Sequence, residues 1–242
     1  MGCHAFKLSF STFMLLLAAA TAAPGTKTAT AAAAADGVTR QGPVCRLHLE
    51  GFGDRPGLKK AQLSCTGGSI TAAASPELVK LLGAGPKGVV WSQAADCQDA
   101  IKEQTTGNCM LAVCRGSVAT FLNPVVTGMK SSSSEGGTSL CITGGSKVAL
   151  VNGTFVQALD MRPVRVHGTG TTVSIKQCMF RENSVTPSTR NGGALSVRDS
   201  AEVAIDSSSF IRNKAEFGGA IAADHNAVVK LTAGQGTGER WC

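Results

Sequence analysis

Residues 173–231 read VSIKQCMFRENSVTPSTRNGGALSVRDSAEVAIDSSSFIRNKAEFGGAIAADHNAVVKL, and one frame runs through this stretch twice. Val173-x-Ile175 is followed five residues later by Phe180, and Val203-x-Ile205 by Phe210. Three residues beyond each phenylalanine stands an asparagine, Asn183 or Asn213. The copies then close on Gly192-Gly193-Ala194-Leu195 and Gly218-Gly219-Ala220-Ile221, and eight residues after that last aliphatic the next Val-x-aliphatic pair begins. Outward from this core, Val148-x-Leu150 with Phe155 is an earlier copy and Val229-x-Leu231 opens a later one, giving periods of 25, 30 and 26 residues. The long period holds four extra residues between Asn183 and Gly192, around Pro187, and an insertion confined to a polar, proline-containing stretch is a loop at a turn.

A unit this short, with aliphatics at period two, is too small for the paired helices of a helical solenoid. It suits one coil of an all-β, right-handed parallel β-helix, in which three short strands are joined by turns and equivalent residues lie about 4.8 Å apart. Inward side chains then form files: the valines in one, Phe155, Phe180 and Phe210 in another, Leu195 with Ile221 in a third. On this reading Asn183 and Asn213 suit a tight bend, because Asn tolerates left-handed backbone angles and can hydrogen-bond neighbouring backbone. The glycine pairs Gly192-Gly193 and Gly218-Gly219 permit positive φ and close approach of adjacent coils.

Phe180-Arg181-Glu182-Asn183 with Gly192 to Leu195, and Phe210-Ile211-Arg212-Asn213 with Gly218 to Ile221, resemble the F-x-x-N and G-G-A-[ILV] repeats of chlamydial polymorphic outer membrane proteins. Related repeats occur in secreted algal proteins of the pectin-lyase-like type. The resemblance is sharp over about residues 145–233. The first copy departs from it, with Ala158 in place of Asn and no G-G-A behind it. That family is associated with adhesion and surface display, so the resemblance implies such a role.

Upstream, strand-like runs at 44–49, 61–65, 88–91, 109–113, 118–122 and 140–142 predict further, less regular coils. Residues 76–82 suit a short helix, placed as a cap over the N-terminal end. The solenoid is thus assigned to 44–233, with 234–242 a tail. Residues 1–22 read as a secretory signal peptide: His4 and Lys7, then an apolar run from Leu8 to Ala20 too short to span a bilayer, then Ala20-Thr21-Ala22. Residues 23–43 are an Ala/Thr-rich leader.

With Cys3 assigned to the signal peptide, eight of the nine cysteines remain, which in an exported chain favours disulfides. Cys45, Cys65, Cys97, Cys109, Cys114 and Cys141 make the N-terminal half the cross-linked part, with the pairing open. Cys178 suits a buried small hydrophobe as well as a bridge, and Cys242 completes the set. The formal net charge is +7, carried by scattered Lys and Arg without interleaved aromatics, which argues against nucleic acid and for an anionic glycan or surface.

Right-handed β-helices include polysaccharide lyases and hydrolases, which need carboxylates converging on one outer groove. Here the repeat frame sets Lys176 against Asp206, Glu182 against Arg212 and Arg198 against Asp224, acids beside bases rather than beside acids. His167 and His225 read as turn residues, and no cofactor or metal pattern is visible. Ser207, Ser208, Arg212 and Lys214 are expected to be exposed on binding faces. Asn152-Gly153-Thr154 is an N-glycosylation sequon. The expectation is a secreted or surface scaffold with a structural or adhesive role, binding glycans or proteins without catalysis; the alternative is a lyase or glycoside hydrolase acting on acidic polysaccharide.

Overall fold

A computed structural model describes residues 42–51, 58–83, 88–91, 94–102, 108–131, 136–185, 191–232 and 235–237. The expected signal peptide and leader through residue 41, and Cys242, lie outside them. So does the inserted loop at 186–190.

The chain is a parallel β-helix. Each winding contributes one strand to a seven-stranded sheet and two to a larger sheet. The first regular winding is Asn108–Val113, Val118–Leu122 and Val125–Thr127; the next is Gly137–Ile142, Lys147–Val151 and Thr154–Val156. Met161–His167, Thr172–Lys176 and Met179–Arg181 follow, then Leu195–Arg198, Glu202–Asp206 and Ser209–Ile211. Ile221–Ala223, Val228–Thr232 and Gln235–Thr237 form the last, so pairing continues into the stretch read as a tail.

The register is the one the repeat demands. Val148, Val173, Val203 and Val229 pair in succession, as do Leu150, Ile175, Ile205 and Leu231. Leu195 pairs with Ile221. The phenylalanine rings stack nearly parallel, Phe155 on Phe180 at 4.6 Å and Phe180 on Phe210 at 4.8 Å between centroids. All three are buried, and each Å² of ring surface so removed from water stabilises the fold by about 25 cal/mol.

The region before residue 108 is not a set of irregular coils. Val44–Gly51 runs straight beneath the first winding and pairs in parallel with both Val118–Leu122 and Val125–Thr127. Leu58–Thr66 folds back on it antiparallel, and Ile70–Ala74 is antiparallel to Asn108–Val113. Reversed strands turn the chain back on itself and end the parallel stack, which is how this end is closed. The expected helix forms at Pro76–Leu82: Ser75 Oγ accepts from Leu78 N, Pro76 takes the first turn, and Gly83 leaves it at φ 69°. Its Leu78 joins the bore cluster.

A second helix, Ala95–Lys102, was not legible in the sequence. It packs Cys97, Ala100 and Ile101 against Ala73, Ala112 and Cys141 in a separate small core. The six candidate cysteines pair as Cys45–Cys65, Cys97–Cys114 and Cys109–Cys141. One bridge closes the hairpin, one ties the second helix to the sheet, and one joins two windings. Cys178 is a buried free thiol. No helix among the described residues is long and apolar enough to cross a membrane.

Candidate binding ridge

The bends between strands are made by residues in the left-handed region, stacked coil upon coil. Asn123, Asn152, Gln177 and Ser207 form the first file, at φ from 47° to 54°. Gly128, Gln157, Glu182 and Arg212 form the second, at φ from 53° to 60°. In each file the left-handed N–H still donates to the next winding: Asn152 to Lys176 O, Gln157 to Arg181 O, Glu182 to Ile211 O, all at 2.9–3.0 Å. A single residue therefore turns the chain without breaking the ladder. At the third corner two consecutive residues have positive φ, among them Gly144-Gly145, Asp199-Ser200 and His225-Asn226. Bonds such as Ser146 N to Thr143 O close these as two-residue turns.

This corrects one half of the role expected of Asn183 and Asn213, the left-handed backbone, and bears out the other, hydrogen bonding to neighbouring backbone. Neither is left-handed; the residue before each, Glu182 or Arg212, is. Both asparagines are buried and act through their side chains. Asn183 Nδ2 donates to Phe155 O at 3.0 Å and to Asn213 Oδ1 at 2.9 Å, while its Oδ1 accepts from Ala158 N at 3.1 Å. Asn213 Nδ2 donates to Phe180 O and its Oδ1 accepts from Asn183 N. The tight bend leaves backbone groups facing inward, and an internal amide ladder satisfies them.

The glycines divide the labour expected of them. Gly192 and Gly218 have φ of 71° and 56°, and a Cβ on either would meet the backbone oxygen two ångströms away, Leu195 O at 2.0 Å and Ile221 O at 2.2 Å. Gly193 is the close approach: its Cβ would lie 2.4 Å from Gly219 O. Where the preceding winding lacks the glycine pair, Arg162 is buried and donates from Nε to Gly192 O at 2.9 Å. Arg165 is a further fully buried arginine, paired in register with Cys141 and Ser196. Neither burial is legible in the sequence.

Outside the second bend the register gathers charge. Lys130, Leu159, Ser184 and Lys214 form successive parallel bridges, and Arg181 and Arg212 stand beside them. Lys130, Gln157, Leu159, Arg181, Arg212 and Lys214 are all exposed. Glu182 is the one carboxylate in the two bend files, 3.9 Å from Arg212 Nη1 and 4.0 Å from Arg181 Nε. The result is a ridge of four exposed cations, with Lys130 and Lys214 three coil steps apart in one file and Arg181 and Arg212 in the last two of those windings. Arg212, Lys214 and Ser207 are exposed as expected, whereas Ser208 is buried: its Oγ donates to Asp206 O and accepts from Cys178 N. Lys130 follows the first winding, whose sequence does not repeat the phenylalanine frame, whereas Arg181 lies in a copy that does, beside Phe180.

Of the three cross-coil charge pairs, Arg198 Nε meets Asp224 Oδ1 at 2.8 Å and Glu182 meets Arg212 at longer range. Lys176 and Asp206 are paired in register but make no ion pair; the Asp206 carboxylate instead accepts from Ser207 Oγ. Asp224 also contacts His225 Nδ1 at 3.0 Å. Partial burial works to raise its carboxyl pKa, but hydrogen bonds from His225 and Arg198 outweigh this and hold it below the ordinary value. Cys178 is driven the other way, its thiol pushed up to about 11 by burial against the hydrogen bonds of Gly153 and Lys176. His167 ends the strand Met161–His167 opposite Arg198. No family model matches the chain, and no curated protein and no solved structure matches it.

Proposed function

We propose that this chain is a secreted or surface-displayed β-helix of the F-x-x-N/G-G-A repeat type, serving as an adhesive scaffold that binds acidic surface glycans along the second bend. The observation that carries this is the gathering of four exposed cations, Lys130, Arg181, Arg212 and Lys214, along one outer edge whose bend files hold a single carboxylate, Glu182. Cations held along one edge of a rigid coil suit a polyanion. Three disulfides among the described residues support an oxidising, exported setting. Against the lyase or hydrolase reading stands the dispersal of acids in the regular coils, where Asp224 and Glu182 lie beside arginines.

The test is binding of the purified chain to immobilised polygalacturonate and alginate against neutral glucans. Retention on the acidic polymers is expected, weakening as salt rises. A triple variant, Arg181→Glu, Arg212→Glu and Lys214→Glu, is expected to lose at least about tenfold in affinity, since each reversed charge on an exposed ridge is worth of order 1 kcal/mol. Equal binding by wild type and variant, or none to any glycan, sinks the ridge. Release of reducing or unsaturated ends from the same polymers, with or without calcium, would establish the enzyme instead.

A further inference from the structure

Resting on the export reading above, we infer that Asn152 carries an N-linked glycan in the folded solenoid. Of the asparagines in the chain, 152 alone has a hydroxyl residue two positions on, in Asn152-Gly153-Thr154. The fold then presents this asparagine in a manner suited to the modification. It occupies the outer edge of the first bend, exposed, at φ 54°. Its Nδ2 donates one proton to Asn123 Oδ1 of the preceding winding at 2.8 Å, and among the described residues the second proton has no acceptor. A glycosylated asparagine keeps one amide N–H. The sugar therefore takes the place of the outward proton, and the bond to Asn123 survives to orient it.

The two residues that complete the sequon are placed to tolerate a bulky neighbour. Gly153 is buried in the bend, where a Cβ would lie 2.8 Å from both Phe155 Cε2 and Pro124 Cγ. Thr154 is half-buried on the outer side of its strand, beside Val125 and Met179 in the adjoining windings. By contrast Asn183 and Asn213 are committed to the internal ladder and lack the motif.

The transfer balances without redox chemistry. The amide nitrogen attacks the anomeric carbon of an oligosaccharide carried on a lipid pyrophosphate. An N–C bond forms, the anomeric C–O bond breaks, the lipid pyrophosphate leaves, and the displaced amide proton passes to a base and then to solvent. Asn152 is separated from Gln157 by one three-residue strand, at most about 16 Å. The glycan thus flanks the cationic ridge.

The experiment expresses the full chain in a eukaryotic secretory host, once with its own N-terminus and once behind the host's leader. Secreted protein is digested with peptide N-glycosidase and mapped by mass spectrometry. One glycan at Asn152 is expected, lost on enzyme treatment with deamidation at that position. It is also expected to be lost in Asn152→Gln and in Thr154→Val, the latter leaving the Asn152–Asn123 bond in place and setting a valine beside Val125. Protein secreted behind the host leader and folded, yet unmodified at Asn152, overturns the inference. Glycosylation behind that leader, with no secretion from the native N-terminus, overturns the export reading and leaves the site standing.

Discussion

Turning a β-strand through one residue leaves a donor and an acceptor pointing into an apolar bore, and the identity of the next residue decides what becomes of them. Ala158 cannot answer its own bend, so Asn183 of the following winding reaches across to Ala158 N and Phe155 O; Asn213 does the same for Asn183 N and Phe180 O. Replacing Asn183 by Ala strands these groups in a buried site, where each unmet partner costs about 1–3 kcal/mol. Asn183→Ala is therefore expected to lose roughly 3 kcal/mol or more in urea unfolding, while Gln157→Ala, which removes an exposed amide bonded to Glu182, changes stability by less than about 0.5 kcal/mol. Equal effects from the two would show that the ladder is incidental. The glycine pair gives a second residue-scale expectation. A methyl at position 193 would sit 2.4 Å from Gly219 O and 2.6 Å from Lys214 O, so two windings must separate and the Gly193 N to Gly219 O bond must stretch. Gly193→Ala is expected to cost about 2–3 kcal/mol by the same measurement.

At the scale of elements, the frame was readable wherever the same column kept the same kind of residue. Phe155, Phe180 and Phe210 announce themselves; the winding before them does not, because its volumes are exchanged. There Phe121 stands in the column of Leu150 and Ile175, and Val126 in the column of Phe155. The bore receives one aromatic per winding in both cases, but a search for a repeated phenylalanine sees a gap, and with it Lys130 vanished from the expected site. The left-handed files were illegible for another reason: Gln177, Glu182 and Arg212 are residues with no preference for that conformation, held there by the ladder bonds on either side. The antiparallel strands at the N-terminal end carry the same apolar alternation as parallel ones, so the sequence could give strands without their direction. Charge pairing between elements was readable from the frame and is testable by pH. Asp224 has a carboxyl pKa below its ordinary value of about 3.9. The link to the next winding through Arg198 is thus fully present above that value and is lost as pH falls through the lowered folded pKa. The stability difference between wild type and Asp224→Asn is expected to be small, under about 1 kcal/mol for a partly exposed pair, fully present above the ordinary carboxylate range and lost progressively in acid below it. A difference that persists undiminished in acid would mean the asparagine acts through packing alone.

For the molecule as a whole, a solenoid is held together by neighbour contacts along one axis, and its two ends are built differently. Residues up to the first strand of the second regular winding are joined by three disulfides, a hairpin and two helices. At the other end Val228–Thr232 has, among the described residues, no strand beyond it in the sheet, and Leu231, in the same column as buried Leu150, Ile175 and Ile205, is 54% exposed. Opening should therefore begin at the C-terminal windings and be stopped by the cross-linked half, because each winding that leaves uncovers only the next. Hydrogen exchange of this chain is expected to run fastest at Ile221–Ala223 and Val228–Thr232, slower at Glu202–Asp206, and slowest at Leu140–Ile142 and Val164–Val166. Reduction of the disulfides gives a contrasting signature: a thiol reductant should raise exchange in Val44–Gly51 and Leu58–Thr66, where Cys45–Cys65 pins the register, and leave the order among the C-terminal strands as it was. Uniform exchange across all windings, or a loss of protection at Val203 and Ile205 on reduction equal to that at Leu47 and Leu63, would mean that the coils open as one unit and that stacking transmits order along the entire axis.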